Sequence, residues 1–152
     1  MGVFSNSIKV DKNNKNLKIA IITSEWNSII TNSLLSKTIE TLVKYGVKKT
    51  NISDYKVPGS FELIYASKKI SKNKEINVII TIGCIIKGDT PHFEYICESV
   101  TNGIKDLNIL LDIPVIFGVL TTQNLEQAKK RSEGGNNKGR EFAISALQMT
   151  KI

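Results

Sequence analysis

The run Val78 to Ile86 (VIITIGCII) carries no charge and consists mostly of β-branched aliphatic residues. A strand turns alternate side chains to opposite faces, so a strand of this composition requires apolar partners on both of them. Leu17 to Thr23 and Pro114 to Leu120 (PVIFGVL) have much the same character, and segments with apolar residues at helical spacing lie between these runs. Buried strands alternating with amphipathic helices imply a parallel sheet covered on both faces and joined by right-handed crossovers. All strand carboxyl ends then share one edge, and ligands of such sheets bind there.

The elements follow in order along the chain. After the first strand, a helix over Asn27 to Tyr45 carries Ile30, Leu34, Leu35, Ile39, Leu42 and Val43 at helical spacing and stops at Gly46. Asn51 to Val57 reads as the second strand, ended by Pro58-Gly59. Ser60 is the expected N-cap of a helix to about Ile70, with Leu63, Ile64, Ala66 and Ile70 inward. The third strand, Val78 to Ile86, leads into a helix from Pro91 to about Leu107, with Thr90 as N-cap and Pro91 at the first helical position. Pro114 enters the fourth strand where a missing N–H is tolerated. Two shorter helices, about Asn124 to Arg131 and Gly139 to Thr150, flank the joint Gly134-Gly135-Asn136-Asn137. The 152 residues, 41% of them hydrophobic, suffice for one core. The expectation is a single α/β domain over 1–152, with 1–16 as an extended N-terminal arm.

Composition narrows the function classes. The net charge of +7 comes from scattered lysines, without a basic helix, a zinc knuckle or an aromatic-basic ribonucleoprotein pattern, so no nucleic-acid partner is expected. No apolar stretch is long enough to span a membrane, and Met1 to Asn16 is too polar for a signal peptide, so a cytoplasmic location is expected. Cys84 and Cys97 lack metal-ligand spacing and read as reduced core thiols. Neither a dinucleotide fingerprint nor a Walker phosphate loop occurs, and no metal site is expected.

The strand-edge rule gathers Ser24-Glu25-Trp26-Asn27, Pro58-Gly59-Ser60-Phe61-Glu62, Lys87-Gly88-Asp89-Thr90-Pro91-His92 and Thr121-Thr122. His92 is the only histidine. At a helix N-terminus with partial burial its charged form is disfavoured, which leaves an imidazole able to accept a proton, though a capping or packing role is the ordinary alternative. Trp26, the only tryptophan, can stack a flat heterocycle or anchor a core. Glu62 can accept hydrogen bonds from ligand hydroxyls or complement the helix dipole. Gly88-Asp89-Thr90 offers backbone N–H groups and a hydroxyl to an anion, or simple capping. Phe117 interrupts an aliphatic strand and reads equally as core. Arg131 and Arg140 are the only arginines; each is a phosphate-gripping group or a cation near a helix end.

In order and spacing, the blocks Glu25-Trp26-Asn27, Val57-Pro58-Gly59-Ser60-Phe61-Glu62, Gly83 to Glu94 (GCIIKGDTPHFE), Pro114 to Thr122 (PVIFGVLTT), Glu126-Gln127-Ala128 with Arg131, and Asn137-Lys138-Gly139 closely resemble the 6,7-dimethyl-8-ribityllumazine synthase family. The resemblance runs from about Leu17 to Met149.

That resemblance implies a flavodoxin-like three-layer α/β/α sandwich with a central parallel four-stranded sheet, plus an N-terminal strand added to a neighbouring subunit. It implies condensation of 5-amino-6-(D-ribitylamino)uracil with 3,4-dihydroxy-2-butanone 4-phosphate, the penultimate step of riboflavin synthesis, with no cofactor. At matching positions, Trp26 with Asn27 would meet the pyrimidine, Ser60, Phe61 and Glu62 would hold the ribityl chain, and backbone at Cys84, Ile85 and Ile86 would bind the pyrimidine edge. Asp89 and Thr90 amides with Arg131 would take the phosphate, and His92 would shuttle protons. Phe117, Arg131 and Lys138 would come from a neighbour in a homopentamer, with an icosahedral shell of pentamers as the preferred assembly and riboflavin synthase as a partner. Two neighbouring readings are a non-catalytic flavin or lumazine carrier on this scaffold and the archaeal type of riboflavin synthase.

Overall fold

The computed structural model describes residues 10–152. Its centre is a four-stranded parallel sheet in the order β2-β1-β3-β4, built from β1 (Ile19–Ser24), β2 (Ile52–Val57), β3 (Val78–Ile86) and β4 (Val115–Thr122). The most aliphatic strands, β1 and β3, occupy the middle. Every residue of β1 is buried, as is β3 from Val78 to Cys84, whereas edge strand β2 (ISDYKV) is largely exposed.

Helices cover both faces, giving the three layers expected. Odd residues Ile19 and Ile21 of β1 and even residues Val78, Ile80 and Ile82 of β3 pack with α1 (Ser28–Lys44) and α5 (Gly139–Met149), with Ala128 of α4 (Leu125–Ser132) in the same core. The opposite parity, Ala20, Ile22 and Ile79, packs with Leu63 of α2 (Glu62–Ile70) and with Val100, Ile104 and Leu107 of α3 (His92–Leu110). Thr81 Oγ1 donates to Ile116 O at 2.8 Å and Thr38 Oγ1 to Leu34 O at 2.8 Å, whereas the buried hydroxyls of Ser24, Ser67 and Thr122 have no partner.

Several local expectations are corrected. Ser60 and Thr90 do not cap their helices: α2 follows Phe61, α3 follows Pro91, and neither has a side-chain cap. Glu62 replaces the Ser60 cap in part, since its Oε2 accepts from Gly59 N–H at 2.9 Å. Asn124 caps α4, its Oδ1 accepting from Gln127 N–H at 2.9 Å. Val43 is exposed rather than inward, and α3 runs one turn past Leu107.

The expected N-terminal strand on a neighbour begins among residues 1–9, outside those described. Residues 10–16 lie against their own chain, where Asn14 Nδ2 donates to Asp11 O and Tyr45 O at 2.6 and 2.7 Å. The Gly/Asn joint is also anchored: Asn137 Nδ2 donates to Ser132 O, and its Oδ1 accepts from Gly139 N–H at 2.9 Å. Gly139 itself lies where α5 crosses α1, and a Cβ there would press on Leu34 O and on Thr38. Since backbone cannot give way as a side-chain tip can, Gly139→Ala is expected to destabilise by about 1–3 kcal/mol, read as a lower urea midpoint at fixed protein concentration.

Candidate active site

The cleft exists because the central strands end at different heights. β1 pairs with β3 only as far as Thr23 opposite Ile82, while β4 follows β3 to Thr122 opposite Ile86. Ile79 N–H donates to Pro114 O and Lys87 N–H to Thr122 O, so odd-numbered positions of β3 face β4 and even-numbered ones face β1. Beyond Ile82 the backbone of Ile86 therefore faces the space past the end of β1.

That space is a cleft of about 500 Å³ bounded by the loop after β1, the loop after β2 and the first turn of α3. Ten of the expected residues line it: Trp26, Asn27, Ser60, Phe61, Glu62, Cys84, Ile85, Ile86, Thr90 and His92. Asp89 lies in the exposed turn between Gly88 and Thr90. Two aromatic rings form its lips, Trp26 at 73% exposure and Phe61 at 52%. Phe93 and Ile96 also line it and were not anticipated. The signal was present: Ile96 lies four residues after His92, hence on the same side of the helix.

Ser60 is buried at the cleft floor, and its hydroxyl explains a glycine in β3. A Cβ on Gly83 would lie 2.5 Å from Ser60 Oγ. Asn27 has a role that its exposed position conceals. It is the only non-glycine residue with positive φ among those described, at φ 57°, ψ 43°, and asparagine tolerates that region better than most residues. From there its Nδ2 donates to Cys84 O at 2.9 Å, tying the start of α1 to the end of β3. Trp26 is fixed just before this tie by a bond from its own N–H to Pro58 O at 3.1 Å.

His92 opens α3 and is exposed, so the partial burial expected of it is absent from the single chain. It faces the same cleft as Thr90 and Gly88, whose backbone belongs to a turn suited to an anion. Arg131, Phe117 and Lys138 are not among the residues lining this cleft. Arg131 Nη1 donates to Gln127 O at 3.0 Å, Lys138 Nζ pairs with Glu141 at 2.7 Å, and Phe117 is 41% exposed on edge strand β4, which settles its alternative against the core. Among the described residues no group of His, Cys, Asp or Glu could hold a metal, and no helix is long and apolar enough to cross a membrane.

Two predictions follow from this geometry. Asn27→Gly loses the tie but keeps the left-handed backbone, whereas Asn27→Ala loses both. Ala is therefore expected to be less stable than Gly by about 1–2 kcal/mol, as equilibrium urea unfolding would show. Burial pushes the Cys84 thiol up to about 11, and Cys97 is raised as well, by burial first and then by the Glu94 carboxylate. Both remain thiols at pH 7.5, and thiolate at Cys84 appears only toward pH 11. Iodoacetamide labelling followed by mass spectrometry should therefore be slow at pH 7.5, slowest at Cys84, and should accelerate with rising pH.

Comparison with known proteins gives the family. A sequence model of the family described as 6,7-dimethyl-8-ribityllumazine synthase matches residues 16–152. Proteins of that name from Flavobacterium psychrophilum and Bacteroides fragilis are 52% and 50% identical over 141 and 134 residues, covering 92% and 88% of this chain and 75% and 94% of theirs. The one from Parabacteroides distasonis is 47% identical over 137 residues, covering 90% of this chain and 86% of its own. A family match over nearly all of the described sheet and helices, with relatives this similar, places the chain in the 6,7-dimethyl-8-ribityllumazine synthase family.

Proposed function

We propose that this cleft is where the chain, as an enzyme of riboflavin biosynthesis, condenses 5-amino-6-(D-ribitylamino)uracil with 3,4-dihydroxy-2-butanone 4-phosphate, releasing phosphate and water. The observation that carries the assignment of the cleft is the union of an exposed aromatic lip, an open strand edge and an anion-suited turn bearing the only histidine.

Trp26 stacks on the pyrimidine while the Ile86 backbone, past the end of β1, meets its polar edge. Cys84 O is already engaged by Asn27, so Asn27 serves by shaping this edge. Ser60, Phe61 and Glu62, at the start of α2, receive the ribityl chain, with Glu62 accepting from its hydroxyls. The phosphate rests on amides of Asp89 and Thr90. His92 passes a proton from the attacking amine to the oxygen that leaves as water when the imine forms, takes a proton from the carbon beside the imine as the C–O bond to phosphate breaks, and returns that proton to carbon before the ring closes with loss of a second water. Holding two reactive substrates in register supplies most of the acceleration, so one acid–base group suffices.

A second copy completes the site. Phe117, Arg131 and Lys138 lie outside this chain's own cleft, and a neighbour's set placed against it would supply a cation to the phosphate and a ring to the pyrimidine. Exposed Tyr65, Tyr95, Ile109 and Leu110 on α2 and α3 offer apolar surface for such packing. The assembly is a homopentamer, with an icosahedral shell as its larger form, cytoplasmic and able to associate with riboflavin synthase. A flavin carrier on this scaffold would leave His92 beside an anion-suited turn without use.

The test is lumazine formation from the two substrates, followed by absorbance and fluorescence against the uncatalysed background. Wild type is expected to accelerate it saturably. His92→Ala should lower kcat about a hundredfold yet retain weak activity. Arg131→Ala should raise KM for the phosphorylated substrate by about tenfold or more, as loss of a charge-assisted bond requires. No acceleration by folded, assembled protein would reduce the chain to a ligand-binding scaffold.

A further inference from the structure

The turn between β3 and α3 is the least braced wall of the cleft. No side-chain cap closes the start of α3, and a Cβ built on Gly88 would meet nothing within 4 Å. What spans the turn is an ion pair outside the cleft lining. Lys87 Nζ lies 3.0 Å from Glu94 Oε1, and the same ammonium stands 6.0 Å from the centroid of the Phe93 ring, which does line the cleft. Lys87 is itself anchored, since its N–H donates to Thr122 O at 2.9 Å. The pair thus connects the last bonded rung of the sheet to the first turn of α3. The bond from Lys87, with a smaller contribution from the backbone N–H of Glu94, holds the Glu94 carboxyl below the ordinary carboxylate range.

We propose that Lys87 and Glu94 form a positioning clamp that sets the separation between the end of β3 and the start of α3, holding the Gly88–Thr90 amides and His92 in place for the phosphorylated substrate. The inference rests on the function given above. Neither side chain lines the cleft, and together they add no net charge to the turn, so their effect is geometric. Both are about half exposed, and such pairs contribute little to global stability. The clamp therefore acts on binding and leaves folding intact.

Assembled wild type, Lys87→Met, Glu94→Gln, Lys87→Arg and the reversed pair Lys87→Glu/Glu94→Lys are compared by steady-state kinetics, with inorganic phosphate as competing ligand. Each neutralising variant is expected to raise KM for the phosphorylated substrate and Ki for phosphate about two- to fivefold, the scale of a lost exposed ion pair. KM for the pyrimidine and the unfolding midpoint should stay unchanged. Lys87→Arg and the reversed pair should restore most of the loss. If Glu94→Gln instead tightens phosphate binding and the reversed pair is not rescued, Lys87 is a direct phosphate ligand and the clamp is overturned. Equal effects on both substrates, or none on either, overturn it too. Should wild type fail to make lumazine, the functional assignment fails separately. The clamp is then judged by phosphate binding in calorimetry, where the same ranking of variants upholds it and any other overturns it.

Discussion

The staggered ending of the central strands is the constraint from which the rest of the site follows. β3 must be long and aliphatic because both of its faces are covered, and β4 pairs with it to the end. β1 stops earlier, at Thr23 opposite Ile82. A parallel strand without a neighbour presents backbone polar groups in fixed positions. Here they are presented at the floor of an aromatic-lipped cleft, and the turn that follows starts a helix pointing its N-terminus at the same space. For the ligands proposed above, a flat polar-edged ring beside an anion, that stagger supplies most of the frame.

The pattern of the chain made much of this legible, for a physical reason. Strand and helix periodicities are local, and in a parallel sheet they dictate which loops meet at the carboxyl edge. Trp26, Ser60, Phe61, Glu62, Thr90 and His92 were all found by that rule, and all line the cleft. Interactions between residues far apart in sequence leave no periodic trace. Asn27 bonds to Cys84, 57 residues away, and its left-handed backbone is invisible in the letters around it. The caps assigned to Ser60 and Thr90 fail by one residue: the hydrogen-bonded helices follow Phe61 and Pro91, neither of which carries a side-chain cap. Phe117, Arg131 and Lys138 do not line the cleft, and the contact with a second chain proposed for them is of a kind that no periodicity encodes.

The chemistry of the cleft is economical. Its thiol is buried and held protonated, its carboxylate Glu62 is engaged with Gly59 N–H, and its imidazole stands exposed at a helix start. Such a set suits a reaction in which two partners need chiefly to be brought together.

The sheet order also bears on how a newly made chain reaches this shape. β1 is made first and pairs with β2, yet its other edge belongs to β3, which follows much later. Until β3 is available, the aliphatic strand IAII of β1 has one open edge beside a neighbour that is mostly polar. Non-local pairing of this kind slows folding and leaves edges open to wrong partners. The half-made chain therefore cannot complete a stable layer by itself, and the arrival of β3 is the event that both closes the core and creates the cleft.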